Sequence, residues 1–252
     1  MNGALDRDHE LARVLAHEAG QLLLGVRSTT PVAELKAAGD AASHVHLVAR
    51  LAAERPDDRV LSEEAAAHER TAAAGSGRVW IIDPLDGTRE FGEPPRSDWA
   101  VHVALVVDGQ AVVGAVALPG RDLVLATGGT LPAPSPTLGA APRLLVSRTR
   151  PAAHAEALAE RLGAQLVPLG SAGAKAMAVV LGEADIYAHS GGQYEWDSAA
   201  PVAVALAAGF HASRLDGSAL QYDRPEPWLP DLLVCHPTLA ASVLAHCAEL
   251  TA

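Results

Sequence analysis

The sequence predicts an α/β protein, and three observations lead there. Strand-like and helix-like segments alternate through residues 143–252. The apolar run VHVALVVDGQAVVGAVAL is cut by Asp108-Gly109, a hairpin-turn dipeptide, so it reads as two strands rather than a membrane span. The first fifty residues carry apolar side chains at helical spacing instead.

Taken in order, Leu5 to Val26 places Leu11, Val14, Leu15, Ala19, Leu22, Leu23 and Val26 on one helical face. A second helix is expected over Asp40–Glu54, ending before Arg55-Pro56. A short strand at Arg59-Val60-Leu61 leads into Ser62-Glu63-Glu64, and RVWIID forms a buried strand that Pro84 stops at Asp83. The hairpin follows, then an extended LVLAT. The Pro/Ala/Gly-rich stretch TLPAPSPTLGAAPR marks an internal boundary or surface loop. Beyond it come RLLVS, a helix from Ala152 to Leu162, QLVPL, a helix over Ala174–Leu181, ADIYA, a helix after Trp196-Asp197, DLLVC and a terminal helix. The expected organisation is an N-terminal half (1–129) and a C-terminal half (143–252) joined by 130–142 in one structural unit.

A net charge of -11 and a pI near 5.4 argue against a nucleic-acid polymer or an anionic membrane as partner. An acidic protein still binds phosphates where metal ions invert the local sign. Two cysteines, Cys235 and Cys247, suggest neither a disulfide framework nor a zinc site, and the N-terminus lacks a signal-peptide core, so a cytoplasmic location is expected.

The chemistry concentrates in Asp83-Pro84-Leu85-Asp86-Gly87-Thr88. A turn after the strand brings Asp83 and Asp86 together, Gly87 allows close backbone approach to a ligand, and Thr88 opens a short helix whose free N–H groups suit a phosphate. Two carboxylates held together repel unless protonated or bridged by cations, and hard oxygen ligands near a phosphate point to magnesium. Glu63-Glu64 and the string Tyr194-Glu195-Trp196-Asp197-Ser198-Ala199-Ala200-Pro201 are the further acidic sites. Taken alone they also read as a helix-start carboxylate pair and as an N-cap at Asp197 or Ser198.

In combination, Glu63-Glu64, WIIDPLDGT and WDSAAP resemble the inositol-monophosphatase-like, lithium-sensitive magnesium phosphatases, over nearly the whole chain. The resemblance implies a layered αβαβα sandwich, a homodimer, and two or three Mg²⁺ ions held by Glu63, Asp83, Asp86, Asp197 and the Leu85 carbonyl. It also implies that Asp40 and Thr88 activate the attacking water, with Glu63 contributing to catalysis. Asp40 lies in AAGD where relatives usually have a threonine, and it also reads as the N-cap of the second helix. No covalent phospho-enzyme is required.

After the motif, Arg89-Glu90-Phe91 resembles the Lys/Arg-Glu-Phe of CysQ-type 3′(2′),5′-bisphosphate nucleotidases rather than the Thr-Asn-Phe of inositol phosphatases. LLVSRTR resembles their Val-Ser-Arg-Ser-His segment, with Arg150 in place of the histidine, and Ser190 stands where inositol phosphatases carry a ring-recognising glutamate. The resemblance makes Gly87, Thr88, Arg148, Arg150, Ser171, Lys175, His189 and Asp197 the candidate substrate contacts. The implied activity is hydrolysis of the 3′-phosphate of adenosine 3′,5′-bisphosphate (PAP) in sulfate assimilation, with PAPS as a further substrate. A broad inositol or fructose-bisphosphate phosphatase and an inactive metal- or nucleotide-binding module are the alternatives. A phospho-aspartate mechanism of the haloacid-dehalogenase kind needs Asp-x-Asp, and Asp83-Pro-Leu-Asp86 has one residue too many.

Overall fold

The computed structural model describes residues 2–65, 77–149 and 155–251. Two long helices open the chain, α1 (Asn2–Thr29) and α2 (Leu35–Glu54). α1 buries Ala12, Leu15, Ala16, Ala19 and Leu23, while Leu22 turns outward. α2 starts five residues before Asp40, because its buried stripe of Leu35, Gly39, Ser43, Leu47 and Leu51 repeats at i, i+4 and needs the earlier turn. Asp40 is therefore an interior helical residue and caps nothing. A Cβ at Gly39 would lie 2.7 Å from the Phe91 ring and 2.9 Å from Leu85, so glycine lets α2 rest directly on the Asp83–Thr88 turn.

The first sheet holds β1 (Arg59–Ser62), β2 (Arg78–Asp86), β3 (Ala100–Val107), β4 (Gln110–Leu118) and β5 (Leu123–Ala126) in that spatial order. Only the β1–β2 pair is parallel. Asp108 and Gly109 both take positive φ, 49° and 78°, which is what a two-residue hairpin between β3 and β4 requires. β2 does not stop at Pro84 as the sequence suggested; it runs to Asp86. Asp83 pairs with His102 and Asp86 with Ala100, leaving Pro84 and Leu85 in an irregularity where a missing N–H breaks no ladder bond. A single turn of helix, α3 (Thr88–Phe91), follows Gly87.

The second sheet contains β6 (Arg143–Ser147), β7 (Gln165–Leu169), β8 (Ile186–Tyr194), β9 (His211–Ser213) and β10 (Trp228–Cys235), in the order β7-β6-β8-β10-β9. Four helices belong with it: α4 (Ala155–Leu162), α5 (Ala172–Val180), α6 (Glu195–Ala207) and α7 (Ala240–Thr251). The expected start of the third-quarter helix at Ala152 lies outside the described residues.

Three cores define five layers. α1 and α2 pack on Trp80, Ile82, Val101, Val103 and Leu105 of the first sheet. The opposite face of that sheet, with Val79, Ile81, Ala104 and Val116, meets α5 and α6, which in turn meet Tyr187, Leu232 and Val234 of the second sheet. The far face of the second sheet, Leu144, Ile186 and Leu233, is closed by α4 and α7. Helices cover both faces of both sheets, which is why the central strands read as continuous apolar runs rather than alternating ones. This αβαβα stack points the C-terminal end of β2 at the first turns of α5 and α6, and the polar site forms there.

Candidate active site

Asp83, Asp86 and Asp197 each offer a carboxylate oxygen within 4.8 Å of the other two. The first two come from either side of the β2 irregularity. Asp197 comes from the first turn of α6, where its Oδ2 accepts the Tyr194 N–H at 2.6 Å. Tyr194 is the residue that precedes α6, so Asp197 reaches back to it from the third helical position. The sequence-based N-cap reading of Asp197 or Ser198 is corrected accordingly.

Burial and the Asp197 charge push Glu63, at the end of β1, up to about 7. Burial and the Asp86 charge push Asp197 up to about 6. Asp83, 1% exposed, is raised well above the ordinary carboxylate range by burial and by Glu63, Asp86 and Asp197. A buried set of hard oxygen donors that repel one another is what a divalent cation relieves. The donor set therefore fits magnesium. The Leu85 carbonyl accepts a hydrogen bond from Thr88 Oγ1 at 3.0 Å, which leaves it a second lone pair.

Asp40 and Thr88 meet across α2 and α3, with Thr88 Oγ1 3.2 Å from Asp40 Oδ1. Ser43, one turn along α2, donates to the Pro84 carbonyl at 2.7 Å and holds the helix against the turn. Burial, with the nearby Glu64 charge, pushes Asp40 up to about 6.

Asp86 departs from its acidic neighbours. Burial works to raise its pKa, but the His102 charge and hydrogen bonds from Ser171 and Gly173 outweigh that and lower it. Ser171 Oγ donates to it at 2.5 Å, and the N–H groups of Ala172 and Gly173, at the start of α5, at 3.1 and 2.6 Å. Ser171 takes φ 56°, ψ 135°, an uncommon conformation for a residue with a side chain; its bonds to Asp86 and from Ala174 N–H hold it there. The Ser171 hydroxyl, expected to contact substrate, is thus spent on a carboxylate and a helix cap.

His102 was not singled out in the sequence. It sits on β3, 1% exposed, with Nδ1 2.9 Å from the Trp196 carbonyl and Nε2 3.2 Å from Asp86 Oδ2. A carbonyl only accepts, so Nδ1 carries a proton. The Nε2 approach to Asp86 is a charge contact without hydrogen-bond alignment. Burial alone would lower the imidazole pKa, yet Asp86 raises it. The available signal was one polar residue at an inward register position within HVALVV.

The other expected contacts divide. Lys175 is buried on α5, donates to the Ser171 carbonyl at 2.7 Å and lies 5.1 Å from the Tyr187 ring centre; burial pushes its pKa down. His189 bonds through Nε2 to the Gly192 carbonyl at 2.9 Å. Arg148 is committed elsewhere, to Glu90 at 2.9 Å and Glu93 at 2.8 Å, and is absent from the cavity wall. This is a correction: the glutamate of Arg89-Glu90-Phe91 captures the arginine expected to hold a phosphate. Arg150 lies outside the described residues. Arg89 is the cation the sequence reading passed over. It is exposed, lines the cavity, and among the described residues no group pairs with it.

One cavity of about 790 Å³ joins these groups. Glu63, Asp86, Asp197, Gly87 and Thr88 line it, and Arg89 and Lys175 also contribute to its wall.

A sequence model of the inositol monophosphatase family matches residues 5–133 and 134–250. The chain is 51% identical over 247 residues to a 3′-phosphoadenosine 5′-phosphate phosphatase of Mycobacterium tuberculosis, covering 92% of this chain and 90% of that protein. It is 29% identical to the 3′(2′),5′-bisphosphate nucleotidase CysQ of Escherichia coli K12, covering 85% and 94%. The crystal structure of CysQ from Bacteroides thetaiotaomicron superposes with a TM-score of 0.75 at 25% identity, covering 92% and 98%.

Proposed function

The chain belongs to the inositol monophosphatase family, and we propose that it is a metal-dependent phosphatase that hydrolyses the 3′-phosphate of PAP to give AMP and phosphate. One observation carries the reading. One cavity large enough for a nucleotide is lined both by the buried carboxylates Glu63, Asp86 and Asp197 and by Arg89, a cation that no group among the described residues pairs with and that suits a second phosphate. Relatives with about half their residues in common with this chain carry the name of that activity.

Glu63, Asp83, Asp86, Asp197 and the Leu85 carbonyl would hold Mg²⁺, two or three ions in all. When bound, the ions supply Lewis-acid stabilisation of the phosphoryl oxygens and acidify water. The remaining steps belong to the chain. Thr88 Oγ1 lies within reach of both the Leu85 carbonyl and Asp40 Oδ1; in this reading its one proton turns to Asp40, which leaves its lone pairs to accept from the attacking water. Asp40, raised to about 6, is ionised at neutral pH yet basic enough to take the proton that Thr88 relays. Gly87 and Thr88 present backbone N–H groups to the 3′-phosphate. Water attacks phosphorus as its proton passes through Thr88 to Asp40, the bond to O3′ breaks, O3′ takes up a proton from solvent, and AMP leaves with the second phosphate still on Arg89 and Lys175.

The two halves, 1–129 and 143–252 with 130–142 between them, act as one unit in this reading. A homodimer, inhibition by Li⁺, a cytoplasmic setting, a role in sulfate assimilation and turnover of PAPS accompany it as proposals. No helix among the described residues is long and apolar enough to cross a membrane.

The test is phosphate release with Mg²⁺ from PAP, inositol 1-phosphate and fructose 1,6-bisphosphate. PAP is expected to have the highest kcat/KM. A protein that leaves PAP untouched and cleaves inositol 1-phosphate well is not this enzyme. Arg89→Ala is expected to raise KM for PAP about tenfold to a hundredfold, the loss of one charge-assisted contact. The effect on inositol 1-phosphate, with its single phosphate, should be much smaller. Equal losses on both substrates would remove Arg89 from the second-phosphate site.

A further inference from the structure

Part of the cavity wall is aromatic, and in this chain an aromatic surface open to solvent is unusual. Of its nine Phe, Trp and Tyr residues, seven are buried, and the two exposed ones, Tyr194 and Trp228, are each 44% exposed. Both line this cavity. They are also register partners, facing each other across the β8–β10 ladder. Two large rings left half in water have lost burial worth about 1 kcal/mol or more each, and a ligand surface accounts for both.

The local backbone is shaped around them. Gly191 and Gly192 take φ of 98° and 93°, a region that residues with side chains rarely adopt. A Cβ on Gly192 would fall 2.5 Å from the Trp228 indole nitrogen, so the indole rests against bare backbone. Beside Gly191 the space is open, with nothing within 4 Å of where a Cβ would stand. Tyr194 stacks on Trp196, ring centres 4.7 Å apart and planes 8° apart, which fixes its orientation. The platform is also tied to the chemistry. Tyr194 N–H donates to Asp197 Oδ2 at 2.6 Å, so the rings begin one residue's reach from the carboxylate cluster.

We propose that Trp228, with Tyr194 beside it, is the stacking platform for the purine base of the nucleotide substrate. The inference rests on the nucleotide-phosphatase reading and adds to it the wall that recognises the base. A sugar phosphate has no flat face to offer this surface, whereas a purine has one on each side. Base recognition is thereby separated from phosphate recognition: the rings select nucleotides over inositol or hexose phosphates, and the carboxylates act on whichever phosphate is presented.

Trp228→Ala is expected to lower kcat/KM for PAP by about one to two orders of magnitude, mostly through KM, the usual loss when one base-stacking ring is removed. The loss should be at least tenfold larger than for glycerol 2-phosphate, which has no base. Trp228→Phe should recover most of it, since phenylalanine keeps a π face. AMP should quench the intrinsic fluorescence of the wild-type protein, and Trp228→Phe should abolish most of that quench, the other three tryptophans being buried. Equal losses on PAP and glycerol 2-phosphate, or a quench that survives in Trp228→Phe, would overturn the platform. The AMP titration needs no turnover, so a protein that fails to hydrolyse PAP refutes the catalytic reading while the base site is still tested.

Discussion

Asp83→Asn is expected to lower kcat/KM for PAP about a thousandfold or more while raising the melting temperature of the metal-free protein at pH 8. The two effects have one cause. Asp83 is fully buried among carboxylates, with Glu63, Asp86 and Asp197 all adding to the cost of ionising it. Without a cation that repulsion works against the fold, and a neutral amide of the same shape removes it. Asparagine also keeps an acceptor for the Leu85 N–H, which Asp83 Oδ1 receives at 3.1 Å, so the turn is preserved. With the carboxylate gone, the cation site loses a central ligand, and the Lewis-acid stabilisation it supports, worth several kcal/mol, is lost with it. Mg²⁺ should raise the melting temperature of the wild type and leave the variant nearly unmoved. A variant that retains full PAP hydrolysis would show that the cation site lies elsewhere. A variant that melts far below wild type would show that Asp83 supports the fold rather than a metal.

What could be read from the chain depended on how locally each feature is encoded. Asp83-Pro84-Leu85-Asp86-Gly87-Thr88 is legible because its physics is contained in six consecutive residues: the proline falls in an irregularity of the ladder, the glycine turns, and the carboxylates are brought together. The β3–β4 hairpin is legible for the same reason, through Asp108-Gly109. The start of α2 was not. Gly39 and Asp40 look like a break and a cap until the Phe91 ring and Leu85, more than forty residues away, are seen to require a glycine at that contact. Arg148 was misassigned because its partner, Glu90, is fifty-eight residues distant. Arg89 became visible as a free cation only once Glu90 was seen to hold Arg148. His102 is one imidazole in an apolar run, and only the folded chain shows that it pairs in register with Asp83 and brings Nε2 to Asp86. The five-layer order came from the family resemblance, since apolar strands and alternating helices are compatible with several α/β stackings.

In the absence of divalent cations, the protein is expected to melt several degrees lower at pH 8 than at pH 5, and Mg²⁺ to abolish or reverse that trend. Unfolded aspartate and glutamate titrate near 4. In the folded state Asp40 and Asp197 are raised to about 6 and Glu63 to about 7, each chiefly by burial. Glu195, buried under the N–H groups of Asp223 and Arg224, is raised to about 7 as well. Between pH 4 and 7 the folded protein therefore binds protons that the unfolded chain has released, and stability must fall as pH rises through that window. His102, raised by Asp86, acts in the same direction; His211, lowered by burial, opposes it. Asp86 is lowered, so its contribution changes only in more acidic solution. Cation binding requires Glu63, Asp83 and Asp197 to be ionised, so Mg²⁺ competes with those same protons and its affinity should climb across the window. The melting shift produced by a fixed Mg²⁺ concentration should accordingly be small at pH 5 and large at pH 8. Thermal melts at a series of pH values, with EDTA and with Mg²⁺, measure both slopes. A metal-free melting temperature that rises with pH, or a Mg²⁺ shift that is the same at pH 5 and pH 8, would mean that these carboxylates are not the cation ligands.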